Sequence, residues 1–144
     1  QALLSEDRGK AFEKWAEAGE KYAQALSIKP DMHDALNNWG TALLLEYDAI
    51  KGLESEKACE LLDKAGEILK KGVEINSGNC AYNYACYWAL IGDQFQSIKW
   101  LKVANFHNQL PSKAHIDQDS DFDLIHETAE FNEWYQRVFD RGEH

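Results

Sequence analysis

The chain has 144 residues, 44% of them apolar, and a formal charge of −10 from 25 acidic and 15 basic side chains. That length is enough for one domain with a real core, and the acidic balance repels phosphate backbones and anionic membranes, so neither nucleic acid nor a membrane surface is an expected partner. No run of 18 apolar residues offers a membrane span, and the chain opens on glutamine with no signal-peptide pattern behind it.

From Glu6 to Ile28, apolar residues recur at helical spacing through Phe12, Trp15, Ala18, Tyr22, Ala25 and Leu26. Pro30 ends this helix and Asp31 is the expected N-cap of the next. The second helix sets Met32, Leu36, Trp39, Gly40, Leu43 and Leu44 on its inner face and fades into a polar link, Asp48 to Ser55, that contains Gly52. Ser55 is positioned to cap a third helix, which runs through Leu61, Leu62, Ala65, Leu69 and Val73 to Ile75. Asn76-Ser-Gly-Asn79 reads as a break. A strongly aromatic fourth helix covers Cys80 to Ile91, and Gly92-Asp93 forms a tight turn with Gly92 as the C′ residue. The fifth helix extends from Gln94 to about Asn105 on Phe95, Ile98, Leu101 and Ala104. A short helix is expected to open near Gln109–Lys113, and a last one carries Ile125, Phe131, Trp134, Tyr135 and Val138. No segment alternates with period two, so the fold class is all-α.

One stretch occurs twice. Lys10–Ile28 aligns without a gap on Lys57–Ile75, an offset of 47 residues, with seven of nineteen aligned pairs identical. Repetition at such a period signals stacked helical units that present a surface rather than perform chemistry. The residues match a family. Ala18, Tyr22, Ala25 and Pro30 stand where a tetratricopeptide repeat has its second helix; Leu36, Trp39, Gly40 and Leu43 stand where it has its first. Ala81, Tyr84, Ala85 and Trp88, then Gly92-Asp93, Ser97, Leu101 and Ala104, repeat the pattern.

The chain thus resembles the C-terminal end of a tetratricopeptide array, a solenoid of antiparallel helix pairs closed by a capping helix. It departs from the family in its period, 47 residues against the usual 34, and in having Ser77 where a proline is usual after the third helix. The resemblance implies a single domain over 1–144: the second helix of a truncated repeat over 1–30, an extended repeat over 31–77, a further repeat over 78–107 and a cap over 108–144. It also implies a larger parent with more repeats upstream. Gly40, Ala18, Ala65, Ala85 and Ala104 are the small residues expected where helices cross. Phe122, Leu124, Ile125, Phe131 and Trp134 are expected to cover the last repeat.

By family position, the first helix of each pair lines a concave groove. That face carries Asn37, Asn38 and Thr41 in one unit, and Asn79, Tyr82, Asn83 and Cys86 in the next. Asparagine amides offer both a donor and an acceptor to an extended peptide; they equally suit polar groups between helices. The family's clamp for a C-terminal carboxylate needs basic side chains, and the matching positions here are Asn79 and Asn83. The expected function is a non-catalytic interaction module for a neutral or basic peptide. The rival reading is an assembly element that self-associates or packs within the parent chain.

Nothing in the sequence calls for a cofactor or an enzyme. There is no Gly-rich phosphate loop, GxSxG or HExxH. Asp117, Asp119, Asp121 and Asp123 alternate like a calcium loop, but Phe122 and Thr128 occupy the positions that need glycine and glutamate. Capping of a helix start explains these acids better. His33, His107, His115, His126 and His144 are scattered, and none sits at zinc spacing with a cysteine. Cys59, Cys80 and Cys86 are odd in number and form no CxxC, so they read as small buried helix residues in a reducing, cytoplasmic setting.

Overall fold

The computed structural model describes residues 5–139, so His144 lies outside the described residues. Among the described residues there are seven α-helices and one short 3-10 turn, and no strand. The all-α expectation therefore holds. The described chain divides between Asn76 and Ser77 into two compact units.

The first unit contains α1 (Ser5–Ile28), α2 (His33–Ile50) and α3 (Ser55–Ile75). Proline lacks the N–H a helix interior needs, and α1 stops two residues before Pro30. The start of α2 departs from expectation: Met32, not Asp31, is the N-cap, and no side chain bonds the helix N-terminus. The polar link is also shorter than the sequence suggests, because Asp48, Ala49 and Ile50 stay helical and Ile50 is fully buried. Ser55 is the first residue of α3 and Glu54 its N-cap.

Helices α2 and α3 run antiparallel. Asn76, just past the end of α3, lies 3.4 Å from the His33 ring at the start of α2. Between those ends the backbones approach closely at Gly40. A Cβ there would fall 2.4 Å from Leu69 Cδ2 and 2.5 Å from its Cγ, so only glycine fits the crossing. Tyr22 of α1 stacks on Trp39 of α2 with ring centroids 6.3 Å apart, and Lys64 of α3 places its ammonium 5.1 Å from the same indole. Met32, expected inside, is exposed.

The second unit contains α4 (Ser77–Ile91), α5 (Gln94–Phe106), α6 (Lys113–Gln118), a 3-10 turn (Ser120–Phe122) and α7 (Ala129–Phe139). The break expected over Asn76–Asn79 narrows to Asn76, which is extended; helix resumes at Ser77. Gly92 adopts φ of 91°, the left-handed conformation that ends α4, and its N–H bonds the Trp88 carbonyl. Asp93 then caps α5 by accepting from the Gln96 N–H at 3.0 Å. The pair α4/α5 is antiparallel too. A Cβ on Gly78, at the start of α4, would sit 2.9 Å from His107 at the end of α5. Midway, the buried Ser97 hydroxyl donates to the Ala85 carbonyl at 2.9 Å and ties the two helices together.

Asn108 takes φ of 58° after α5, and the Gln109 N–H closes on the Ala104 carbonyl at 2.8 Å. Asparagine tolerates this left-handed stop better than most residues. Ser112 then caps α6, and Thr128 caps α7 by accepting from the Phe131 N–H at 3.2 Å. Ile116, Phe122, Ile125, Phe131 and Trp134 are buried, forming the core of this C-terminal segment. Leu124, expected among them, is 67% exposed, and Phe95 of α5 is 65% exposed.

Candidate binding surface

The solvent side of α2 is set by its buried side. Leu36, Gly40, Leu43 and Leu44 face inward. At 100° per residue, Asp34, Asn38, Thr41, Leu45 and Asp48 form the opposite stripe. Asn38 is exposed, and Leu45 is 62% exposed in the middle of this polar row. Thr41 is half-buried and donates its hydroxyl back to the Asn37 carbonyl at 2.9 Å. Asn37 is half-buried at the edge of the stripe.

Helix α4 is enclosed on most sides. Asn79 and Asn83 are half-buried one turn apart. Tyr82 and Cys86 share that side, and there the segment after α6 lies over the helix. The Tyr82 hydroxyl donates to Asp119 Oδ2 at 2.6 Å, and the Cys86 thiol reaches the same oxygen at 3.8 Å. Cys86 is only 2% exposed, and Tyr82 packs on Phe122 at 5.9 Å between centroids. Asp119 also accepts from the Asp121 N–H at 3.0 Å, so one carboxylate fastens the 3-10 turn and the two α4 side chains. Sequence reasoning assigned Asp119 to capping; its grip on Tyr82 and Cys86, far away in the chain, had no local signal.

Electrostatics agree with this fastening role. Burial, then Asp119 and Asp121, push the Cys86 thiol well above its ordinary value. Burial, the neighbouring thiol and Asp119 raise the Tyr82 phenol as well. Both groups stay neutral donors at physiological pH. Cys86, Asp119 and Asp121 bring a sulfur and two carboxylate oxygens within 4.8 Å of one another. Asp119 already accepts three hydrogen bonds there, from Tyr82, Cys86 and the Asp121 N–H. Asp117 is engaged elsewhere, accepting from the Tyr135 hydroxyl and pairing with Lys113 at 3.4 Å, which hold its carboxyl below the usual range. The alternating acids thus serve separate local contacts.

Cys59 is exposed, against the expectation of burial, whereas Cys80 and Cys86 are buried; all three are free thiols. Iodoacetamide at pH 8 is expected to label Cys59 alone in the folded protein and all three cysteines in denaturant. Mass spectrometry of the native sample checks this, and rapid native labelling of Cys86 would contradict its placement beneath Asp119.

No helix among the described residues is long and apolar enough to cross a membrane. Comparison with family models, with curated proteins and with solved structures found no match.

Proposed function

We propose that the chain is a non-catalytic interaction module of the tetratricopeptide type, in which α2/α3 and α4/α5 are successive helix pairs and the segment from α6 to α7 closes the array. The antiparallel pairing, fixed at Gly40 against Leu69 and at Ser97 against Ala85, supports this reading. So do the small residues at those crossings, where close approach of two helices requires them. A reducing compartment suits three free thiols.

The observation that carries the binding reading is the stripe on α2. Asn38 supplies amide donors and acceptors, exposed Leu45 supplies an apolar contact beside Thr41, and Asp34 places negative charge at one end of the row, while Asp48 at the other is paired with Lys51 at 2.8 Å. Such a surface suits an extended or helical peptide that is neutral or basic and carries one apolar side chain. On α4 the corresponding contributors are Asn79 and Asn83; Tyr82 and Cys86 are committed to Asp119.

Selection from a displayed peptide library, followed by amide-shift mapping of the selected peptide, tests the proposal. Affinity is expected near micromolar, roughly −8 kcal/mol, because ordering a flexible peptide offsets much of the contact energy. Asn38→Ala should weaken binding several-fold and leave the melting temperature unchanged, since the side chain is exposed. Asn83→Ala tests the α4 contribution in the same assay. Selected peptides whose shifts leave the α2 stripe silent would overturn the reading. Dimers in light scattering would favour the rival, self-assembly, for which the exposed Phe106 is the best anchor.

A further inference from the structure

A second surface lies within the second unit, between α5 and α7. An open trough of about 510 Å³ runs between these helices. Its floor is apolar: Ile98 and Trp134 are buried there, and Phe95 stands at the mouth with most of its ring in solvent. One end is clasped by Gln94 Nε2 and Glu130 Oε1 at 3.4 Å. From that end, both helices run toward a cationic end formed by Lys99, Lys102 and Arg137. Phe95, Lys99 and Lys102 follow the i, i+4, i+7 spacing of one helix face, so this edge is about two turns or 10 Å long.

The charges are not balanced internally. Arg137 is paired with Glu133 at 2.9 Å, and Glu130, at the far end, accepts from the neutral Gln94 amide and keeps its charge. Among the described residues, neither Lys99 nor Lys102 has a carboxylate partner, and Lys99 instead lies 5.2 Å from the Trp100 ring. In a chain of net charge −10, an apolar trough lined by three cations, Lys99, Lys102 and Arg137, against two carboxylates, Glu130 and Glu133, is a local reversal of sign.

We infer that this trough is a docking site for an acidic amphipathic helix from a protein partner. A large apolar anchor would rest against Phe95 over Ile98 and Trp134, and carboxylates one turn away would meet Lys99 and Lys102. Two antiparallel or parallel helices form a natural groove for a third, read by anchors at i and i+4. The opposite charge preference separates this site from the α2 stripe, so one chain engages two chemically distinct segments. The inference stands on the α5/α7 geometry and holds whether or not the α2 stripe binds.

The test uses a blocked peptide of about ten residues, with leucine and phenylalanine at i, i+4 spacing and glutamate elsewhere, and a twin with lysine for every glutamate. Titration of the whole chain, followed by amide shifts, should show the acidic peptide binding at α5 and α7 at least about tenfold more tightly than the twin. Phe95→Ala and the double change Lys99→Glu, Lys102→Glu should each lower that affinity about tenfold, and rising salt should lower it too. These side chains are exposed, and unchanged thermal melts confirm that the variants fold. Equal binding of the twin, undiminished affinity in the charge-reversed variant, or shifts confined to α2 would each overturn the inference, as would no binding at millimolar peptide.

Discussion

Trp134→Ala is expected to lower the stability of the second unit by about 3–5 kcal/mol, the usual loss when a fully buried aromatic side chain is removed from a core. Trp134 is 3% exposed, its ring lies 5.7 Å from Phe131, and Phe131 in turn sits 5.7 Å from Phe122. The indole therefore links α7 to the 3-10 turn through one aromatic row. Its removal leaves a large void that the neighbouring rings, each already packed, fill poorly. Urea unfolding checks the magnitude, and Trp134→Phe should recover part of the loss. A Trp134→Ala variant as stable as the parent would mean that α7 is not part of this core.

Gly40→Leu should destabilise the first unit by about 1–3 kcal/mol or more, the range for overpacked interiors. Glycine in an exposed helix interior usually costs about 1 kcal/mol relative to alanine, so replacing it would ordinarily help. Here even a single Cβ meets Leu69 Cδ2 at 2.4 Å and its Cγ at 2.5 Å, and Leu69 is fully buried. The clash must therefore outweigh the propensity gain. A double-mutant cycle isolates the cause. Leu69→Ala opens space at the same point, so Gly40→Ala should cost less in that background, with a coupling of about 0.5–3 kcal/mol. Additive effects would place Gly40 away from the crossing.

Much of the fold is legible in the sequence because the signals are local. Pro30 stops α1, Gly92-Asp93 ends one helix and starts another, and the periodicity of Leu36, Gly40, Leu43 and Leu44 marks a buried face. The failures share a different cause: they depend on what lies opposite. Phe95 has the right period for a core position, yet no helix covers it, and it borders the trough. Leu124 sits between two buried residues, Phe122 and Ile125, in a turn so tight that neighbours cannot all point inward. Cys59 aligns with Phe12 in the internal repeat, but it lies about 100° around α3 from the face of Ala58, Ala65 and Leu69 and is exposed. The Asn76 break is shorter than its composition suggests, because Ser77 and Gly78 can extend the helix when Gly78 packs on His107.

The candidate surfaces were legible to different degrees. Asn38 and Thr41 are expected on the outer face from repeat position, and Asn38 is exposed while Thr41 is half-buried. Tyr82 and Cys86 are expected on the same kind of face, but a segment more than thirty residues later in the chain claims them through Asp119. No periodicity reports such a contact. The α5/α7 trough was equally hidden, since it exists only where two helices far apart in the chain lie side by side.

The aromatic cluster on α4 has an optical consequence. Tyr84 lies 5.1 Å from Trp100 and 5.8 Å from both Tyr87 and Trp88, centroid to centroid, and the Trp88 indole nitrogen is buried without a hydrogen-bond partner. Rings held this close at fixed angles couple their transitions, so they give strong near-ultraviolet dichroism and pass tyrosine excitation to tryptophan. An unbonded indole in an apolar setting emits toward the blue. The second unit thus carries its own chromophore array, whose signal decays when α4 and α5 separate and reports that event without any attached label.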